Sequence, residues 1–180
     1  FYRINQEIIV CYSKKELVIV SDGCTLTNTI YKKRFKRFEN IKLVEMPKHE
    51  LFDGKIPQAG CDAATGAILA FLDSDDIIAP HHLKNIASCF TDNYEWLYFN
   101  AFYKLPQLGG RVIAFEADLD ETRLNTGTIA YRKNLDVTWA GHTGIKGNTY
   151  LIKQLIAKYP KCKKIYGCGY MICRGEIAKF

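Results

Sequence analysis

Ala67-Ile68-Leu69-Ala70-Phe71-Leu72-Asp73-Ser74-Asp75-Asp76 is the stretch on which the reading of this chain turns. Six apolar residues in a row give way to three carboxylates within four positions. A short continuous apolar run closed by a sharp polar break predicts a buried strand. Carboxylates at its carboxyl end then project into the crevice where open α/β sheets bind ligands. Three acids this close repel one another unless a cation neutralises them. Hard divalent ions such as Mg2+ or Mn2+ take such oxygen sites, commonly together with substrate phosphates. The competing reading is a solvated turn leading into a helix, with Asp76 near its start, where acids are favoured. That reading accounts for one acid well and for three poorly.

Outward from this run, the pattern alternates. Residues 16–20 predict a strand that Ser21-Asp22-Gly23 breaks. Residues 26–38 predict a helix, with Tyr31, Phe35 and Phe38 as an apolar stripe at i, i+4 and i+7. Residues 41–44 suit a short strand, and residues 57–65 a helix whose small side chains allow close packing. Residues 80–90 form the next helix, with Pro80 at an early position where its missing N–H costs little. Residues 95–100 are a further strand. Residues 1–12 suit either a strand or the tail of a helix. In the second half, residues 111–115 and 128–131 read as strands and residues 163–166 and 170–173 as short strands. Residues 148–158 read as a helix with Leu151, Ile152, Leu155 and Ile156 on one face. Strands alternating with helices imply an α/β fold, a mainly parallel mixed sheet flanked by helices.

A chain of 180 residues favours a single domain over 1–180. Residues 1–100 would be its ligand-binding half and residues 101–180 the acceptor-binding or lid half. Apolar residues at 48% and charged residues at 24% are ordinary for a soluble globular protein. No apolar run approaches the roughly 20 residues that span a bilayer. The start carries no signal-peptide pattern, and the chain begins at Phe1. Seven scattered cysteines, an odd count without a CxxC pair, point to a reducing compartment, the cytoplasm, and argue against structural zinc. The formal net charge of +6 fits an anionic substrate, a nucleic acid or an anionic membrane surface and does not choose among them.

The remaining candidates each have a plain alternative. Asp22 ends a strand, and Asp-Gly pairs form turns. Two acid-bearing turns after two parallel strands would nevertheless share one edge of the sheet, where Asp22 could accept a hydrogen bond from a base N–H or a ribose hydroxyl. Lys32, Lys33, Arg34, Lys36 and Arg37 form either the solvated face of an amphipathic helix or a peripheral contact with acidic lipid. No nucleic-acid motif accompanies them, so nucleic acid is not an expected partner. His81 and His82 suit a phosphate or metal contact, or the surface of a first helical turn. His142 sits in Gly141-His142-Thr143-Gly144, a loop that could close over a substrate or merely connect elements. Asn148 suits a helix N-cap.

The combination resembles the family 2 glycosyltransferases. Glu16-Leu17-Val18-Ile19-Val20-Ser21-Asp22-Gly23-Cys24 resembles their first nucleotide-binding segment, and residues 57–66 their small-residue helix. Residues 67–76, followed by Pro80 and Leu83, resemble their strand ending in D-x-D. Residues 126–133 and 166–173 look like later, less specific blocks, so the resemblance covers most of residues 16–173. It implies a GT-A fold, a nucleotide-sugar donor (a UDP-sugar first), a glycan or other hydroxyl acceptor, and Mn2+ or Mg2+. By resemblance, Asp22 contacts the nucleobase and Asp75 carries the metal that bridges the diphosphate. Asp73 contacts the ribose or the metal shell, and Ser74 between them joins the nucleotide-binding set.

Two departures from the family matter. Its opening strand, ending in a Pro-x-Tyr-Asn-like segment, would precede Phe1, leaving the sheet short of a central strand. Its inverting members carry an acid at the start of the late helix as base toward the acceptor. Gly147-Asn148 falls there, and Asn cannot take a proton at neutral pH. His142 is then the alternative base, or the chain is a degenerate transferase that binds a nucleotide sugar or glycan. A phosphatase of the haloacid dehalogenase type also places Asp-x-Asp after a strand, but expects Thr two positions later, where this chain has Ile77.

Overall fold

The computed structural model describes residues 7–11, 16–49, 54–91, 93–105, 110–139 and 147–173. The strands are β1 (Glu7–Cys11), β2 (Glu16–Asp22), β3 (Ile41–Met46), β4 (Ile68–Asp73), β5 (Ile77–Ile78), β6 (Trp96–Leu105), β7 (Arg111–Phe115), β8 (Ile129–Arg132) and β9 (Cys162–Ile172). The helices are α1 (Thr25–Ile30), α2 (Lys55–Ala63), α3 (His82–Cys89) and α4 (Gly147–Lys158). Among the described residues the strands join one nine-stranded sheet in the order β3-β2-β1-β4-β8-β6-β9-β5, with β7 beside β6.

β2 pairs parallel with β3 and β6 parallel with β9, while the other pairings are antiparallel. Following those pairings, β2, β3, β4, β6 and β9 all point one way and β1, β5, β7 and β8 the other. The central slot between β2 and β4 is filled by β1, antiparallel to both. Ile9 lies opposite Val18 on one side and Phe71 on the other. The sheet therefore has no gap beside its most apolar strands.

The apolar run of β4 is unbroken because both faces of the sheet are covered. Leu69 and Phe71 point to a core shared with Val18, Val20, Trp96, Cys61 at the end of α2, and Leu151, Ile152 and Leu155 of α4. Ile68 and Ala70 point to the opposite core, with Leu97, Phe99, Ile165 and Ile86 of α3. Each fully buried Leu or Phe of this kind contributes roughly 1.5–3 kcal/mol of transfer free energy.

Several elements differ from the sequence expectation. The helix expected over 26–38 shortens to α1, followed by one wide turn, Tyr31–Phe35, closed by the Lys36 N–H on the Tyr31 carbonyl (3.0 Å). This turn buries no side chain, and Phe38 of the expected apolar stripe is exposed. The two short strands expected near the carboxyl end are one bulged strand, β9. Its register against β6 jumps from Phe99–Ile165 to Ala101–Tyr170. Gly167 and Gly169 adopt positive φ (73° and 68°) inside that bulge, a backbone state other residues avoid. The two-residue β5 and the short 3-10 turn before β8 carry no periodicity that a sequence reading could catch.

Candidate functional site

β1 connects the two acid-bearing strand ends. Ile8 lies opposite Ile19 of β2 and opposite Leu72 of β4, so Asp73 is level with Val20 and Asp22 lies two residues beyond. Both acids thus occupy the same edge of the sheet, separated by the width of one strand, on the order of 10 Å between strand axes.

At Asp22 the carboxylate is drawn onto the segment that follows β3. Oδ1 accepts the His49 backbone N–H (2.7 Å) and faces His49 Nδ1 (3.0 Å), while Oδ2 accepts Lys48 Nζ (3.1 Å). Burial opposes ionisation here. The His49 N–H, the Lys48 ammonium and the His49 ring outweigh it and hold the carboxyl below its usual pKa. Gly23 permits the approach, because it adopts φ 65° and a Cβ there would lie 2.7 Å from Lys48 Cβ. The Gly23 N–H also donates to the Met46 carbonyl (2.9 Å). Asp22, read from the sequence as a base or ribose contact, is held by its own chain through Lys48 and His49. Lys48 and His49 were missed because they lie 26 and 27 residues away, and only the parallel pairing of β2 with β3 brings them together.

At the end of β4 the chain turns through Ser74 and Asp75, and the Asp76 N–H closes the turn on the Asp73 carbonyl (3.0 Å). Tyr170 of β9 ties this turn down: its Oη donates to Asp76 Oδ2 (2.7 Å) and accepts the Asp73 N–H (3.3 Å). The Cys173 N–H donates to Asp76 Oδ1 (2.8 Å). Asp76 is thus a brace between the turn and β9, not a helix-start acid. Burial, then the Asp73 and Asp76 charges, push the Tyr170 phenol well above its ordinary pKa, so it stays a donor. Gly127, in the 3-10 turn, is packed against this phenol so closely that a Cβ would lie 2.1 Å from Oη.

Asp73 is the perturbed acid. Burial and the neighbouring Asp76 and Asp75 charges raise its pKa to about 7. A carboxyl in this position gains from a cation or a proton. Among the described residues no three His, Cys, Asp or Glu side chains converge as a ready metal cage. Asp73 and Asp75 are the two carboxylates of this turn that could hold a cation, with phosphate oxygens completing its shell as hard cations accept.

The histidines divide. His82 is buried, edge-on to Phe99 (5.1 Å between ring centroids) and 5.8 Å from Tyr170, so it is not the surface residue of a first helical turn. His81 stays exposed beside Gly169. His142 lies outside the described residues. Asn148 is the second residue of α4 and half-buried. Trp96 Nε1 donates to the Tyr159 carbonyl just past α4 (2.8 Å), which fixes that helix end at the start of β6. The start of β6 lies at the sheet edge opposite Asp73. With 12 residues, α4 is about 18 Å long.

The sheet, its helices and its acid-bearing edge define a GT-A α/β domain. Residues 4–106 match Glycosyl transferase family 2, more than half of the chain, and the chain belongs to that family. An uncharacterized glycosyltransferase of Nostoc sp. (strain PCC 7120) is 33% identical over 87 residues, 48% of this chain and 27% of that protein. The crystal structure of S. aureus TarS 1-349 superposes with a TM-score of 0.71 at 20% identity, over 88% of this chain and 51% of that one. TarS 1-349 in complex with UDP-GlcNAc also gives 0.71, at 21% identity, over 89% of this chain and 50% of that one. The likeness to TarS is one of fold. This chain spans 27% of the length of the Nostoc relative and about half of the TarS chain.

Proposed function

We propose that this domain transfers a sugar from a nucleotide-sugar donor, a UDP-sugar first, to a hydroxyl of a glycan or other acceptor, with inversion and with Mn2+ or Mg2+. The observation that carries the reading is the pair of acid-bearing strand ends, Asp22 and Asp73-Ser74-Asp75, on one sheet edge, with Asp73 raised to about 7. The TarS fold neighbour was solved with UDP-GlcNAc and with UDP, which supports the uridine donor. Asp75 and Asp73 would hold the cation, and Ser74 lines the same turn. A divalent cation bound there supplies Lewis-acid stabilisation of the charge that develops on the departing nucleoside diphosphate. Asp22, with Lys48 and His49, forms the nucleoside end. The free cysteines Cys24, Cys61, Cys89, Cys162 and Cys173 suit the reducing cytoplasm, where such donors are made.

Calorimetric titration with UDP- and GDP-sugars, with and without Mn2+, tests this. Metal-dependent binding of one donor class supports it; no binding of either refutes the donor assignment.

Asn148 favours a second reading, a domain that binds a nucleotide sugar but turns it over slowly, because its amide cannot accept the acceptor's proton. General-base help is worth about 10²–10⁴ in rate. Asn148→Asp should then raise turnover with donor affinity unchanged, read in a radiolabelled transfer assay. An unaltered rate would remove this position from the chemistry and leave His142 as the base to test.

A further inference from the structure

The basic segment after α1 has no part in the donor site, and its position says what it can do. The Leu17 N–H donates to the Asn40 carbonyl (2.8 Å), and Tyr31 Oη donates to the Ile41 carbonyl (3.1 Å). These bonds pin residues 31–40 at the starting edge of β2 and β3. Asp22 lies at the other end of β2, six residues and roughly 20 Å away. Lys32, Lys33, Arg34, Lys36 and Arg37 are all exposed, and among the described residues none of them forms an ion pair. Glu39 is the single acid between residues 25 and 41.

An exposed aromatic ring stands among these cations. Phe38 is 41% exposed, with the Arg37 guanidinium 4.9 Å from its ring centroid. The wide turn is the cause: closing at i+5 it turns the basic run outward without burying any of its side chains. Cations around exposed apolar groups match the interface of an anionic bilayer, where the charges meet headgroups and the apolar groups enter the acyl boundary. No nucleic-acid motif accompanies the run.

We infer that residues 31–38 form a docking surface for an anionic lipid bilayer, with the donor edge of the sheet facing away from the membrane. This inference stands apart from the donor reading, since it concerns the opposite edge and needs no nucleotide. Each Lys or Arg near an anionic leaflet strengthens binding about fivefold, and the effect decays with salt.

Flotation of the full chain with phosphatidylserine–phosphatidylcholine vesicles tests it, against phosphatidylcholine alone. Binding to the mixed vesicles only, weakened by salt, is expected. The triple variant Lys32→Gln, Lys33→Gln, Arg34→Gln should lower partitioning about a hundredfold with its melting curve unchanged. Phe38→Ser, which keeps every charge, should lower it about tenfold. Equal binding to neutral vesicles, no vesicle binding, or unchanged binding by the triple variant would each overturn the inference. So would binding to an RNA or DNA oligonucleotide tighter than to the anionic vesicles at the same salt.

Discussion

Asp73 holds a carboxyl whose ionisation is opposed by its own burial and by two neighbouring carboxylates. An unperturbed Asp titrates near 3.9. The folded state therefore keeps the Asp73 proton to a higher pH than the unfolded chain, and folding stability falls as pH rises between roughly 4 and 7. Asp22 and Glu16 have the opposite sign. Burial opposes ionisation at Glu16, but Lys42 and Thr65 outweigh it and keep the carboxyl below its usual range. Their contribution is present above the ordinary carboxylate pKa and is lost as pH falls below about 4. Metal-free protein should thus melt at a higher temperature near pH 5 than near pH 7.5, and Asp73→Asn should flatten that slope. Thermal melts in EDTA across this range provide the check; a slope unaltered by the substitution would assign the titration to another group. At the adjacent position, Asp75→Ala should abolish the Mn2+-dependent part of donor binding while leaving the fold intact. Calorimetric affinity equal to that of the unaltered chain would show that Asp75 holds no metal.

Between elements, the decisive link is Tyr170. One phenol joins β9, the turn after β4 and the 3-10 turn that contains Gly127. Tyr170→Phe would leave Asp76 Oδ2 without this donor in a half-buried place. Losing a hydrogen bond to a charged group costs about 1.5–3 kcal/mol. The denaturant midpoint should drop accordingly, and donor affinity should fall with it because the turn bearing Asp73 and Asp75 loses its anchor. Unchanged stability would mean that the Cys173 N–H alone is a sufficient brace. Sequence periodicity could not reveal this link. Tyr170 and Asp76 are 94 residues apart, and the bulge that aims the phenol depends on two glycines at positive φ. By contrast, β2, β3, β4, α3 and α4 were legible, because each carries its own apolar pattern. The end of α1 was not, since Tyr31, Phe35 and Phe38 keep helical spacing while the backbone widens beneath them.

For the molecule as a whole, cooperativity rests on β1, which carries hydrogen bonds to β2 and β4 at once. Ile9 sits at its centre with a strand on either side, so its N–H must enter one ladder or the other. Ile9→Pro removes that donor from a position where proline is not accommodated. A loss of about 3 kcal/mol would lower the melting temperature by roughly 10 °C in a chain of this size. A melt that kept its midpoint would show that β1 contributes little to the sheet. The amino acids of residues 67–76 determined, without help from the rest of the chain, that a buried strand ends in a carboxylate cluster, because six apolar residues have nowhere stable but a core. The pattern along residues 16–173 likewise determined the α/β alternation and the family resemblance. Only the tertiary structure decided how each acid is held. Pairing across the sheet engages Asp22 with Lys48 and His49, braces Asp76 against β9, and sets the Asp73 carboxyl against the Asp76 and Asp75 charges. Those partners come from distant segments, and their proximity is a property of strand order and register, which no local pattern of residues encodes.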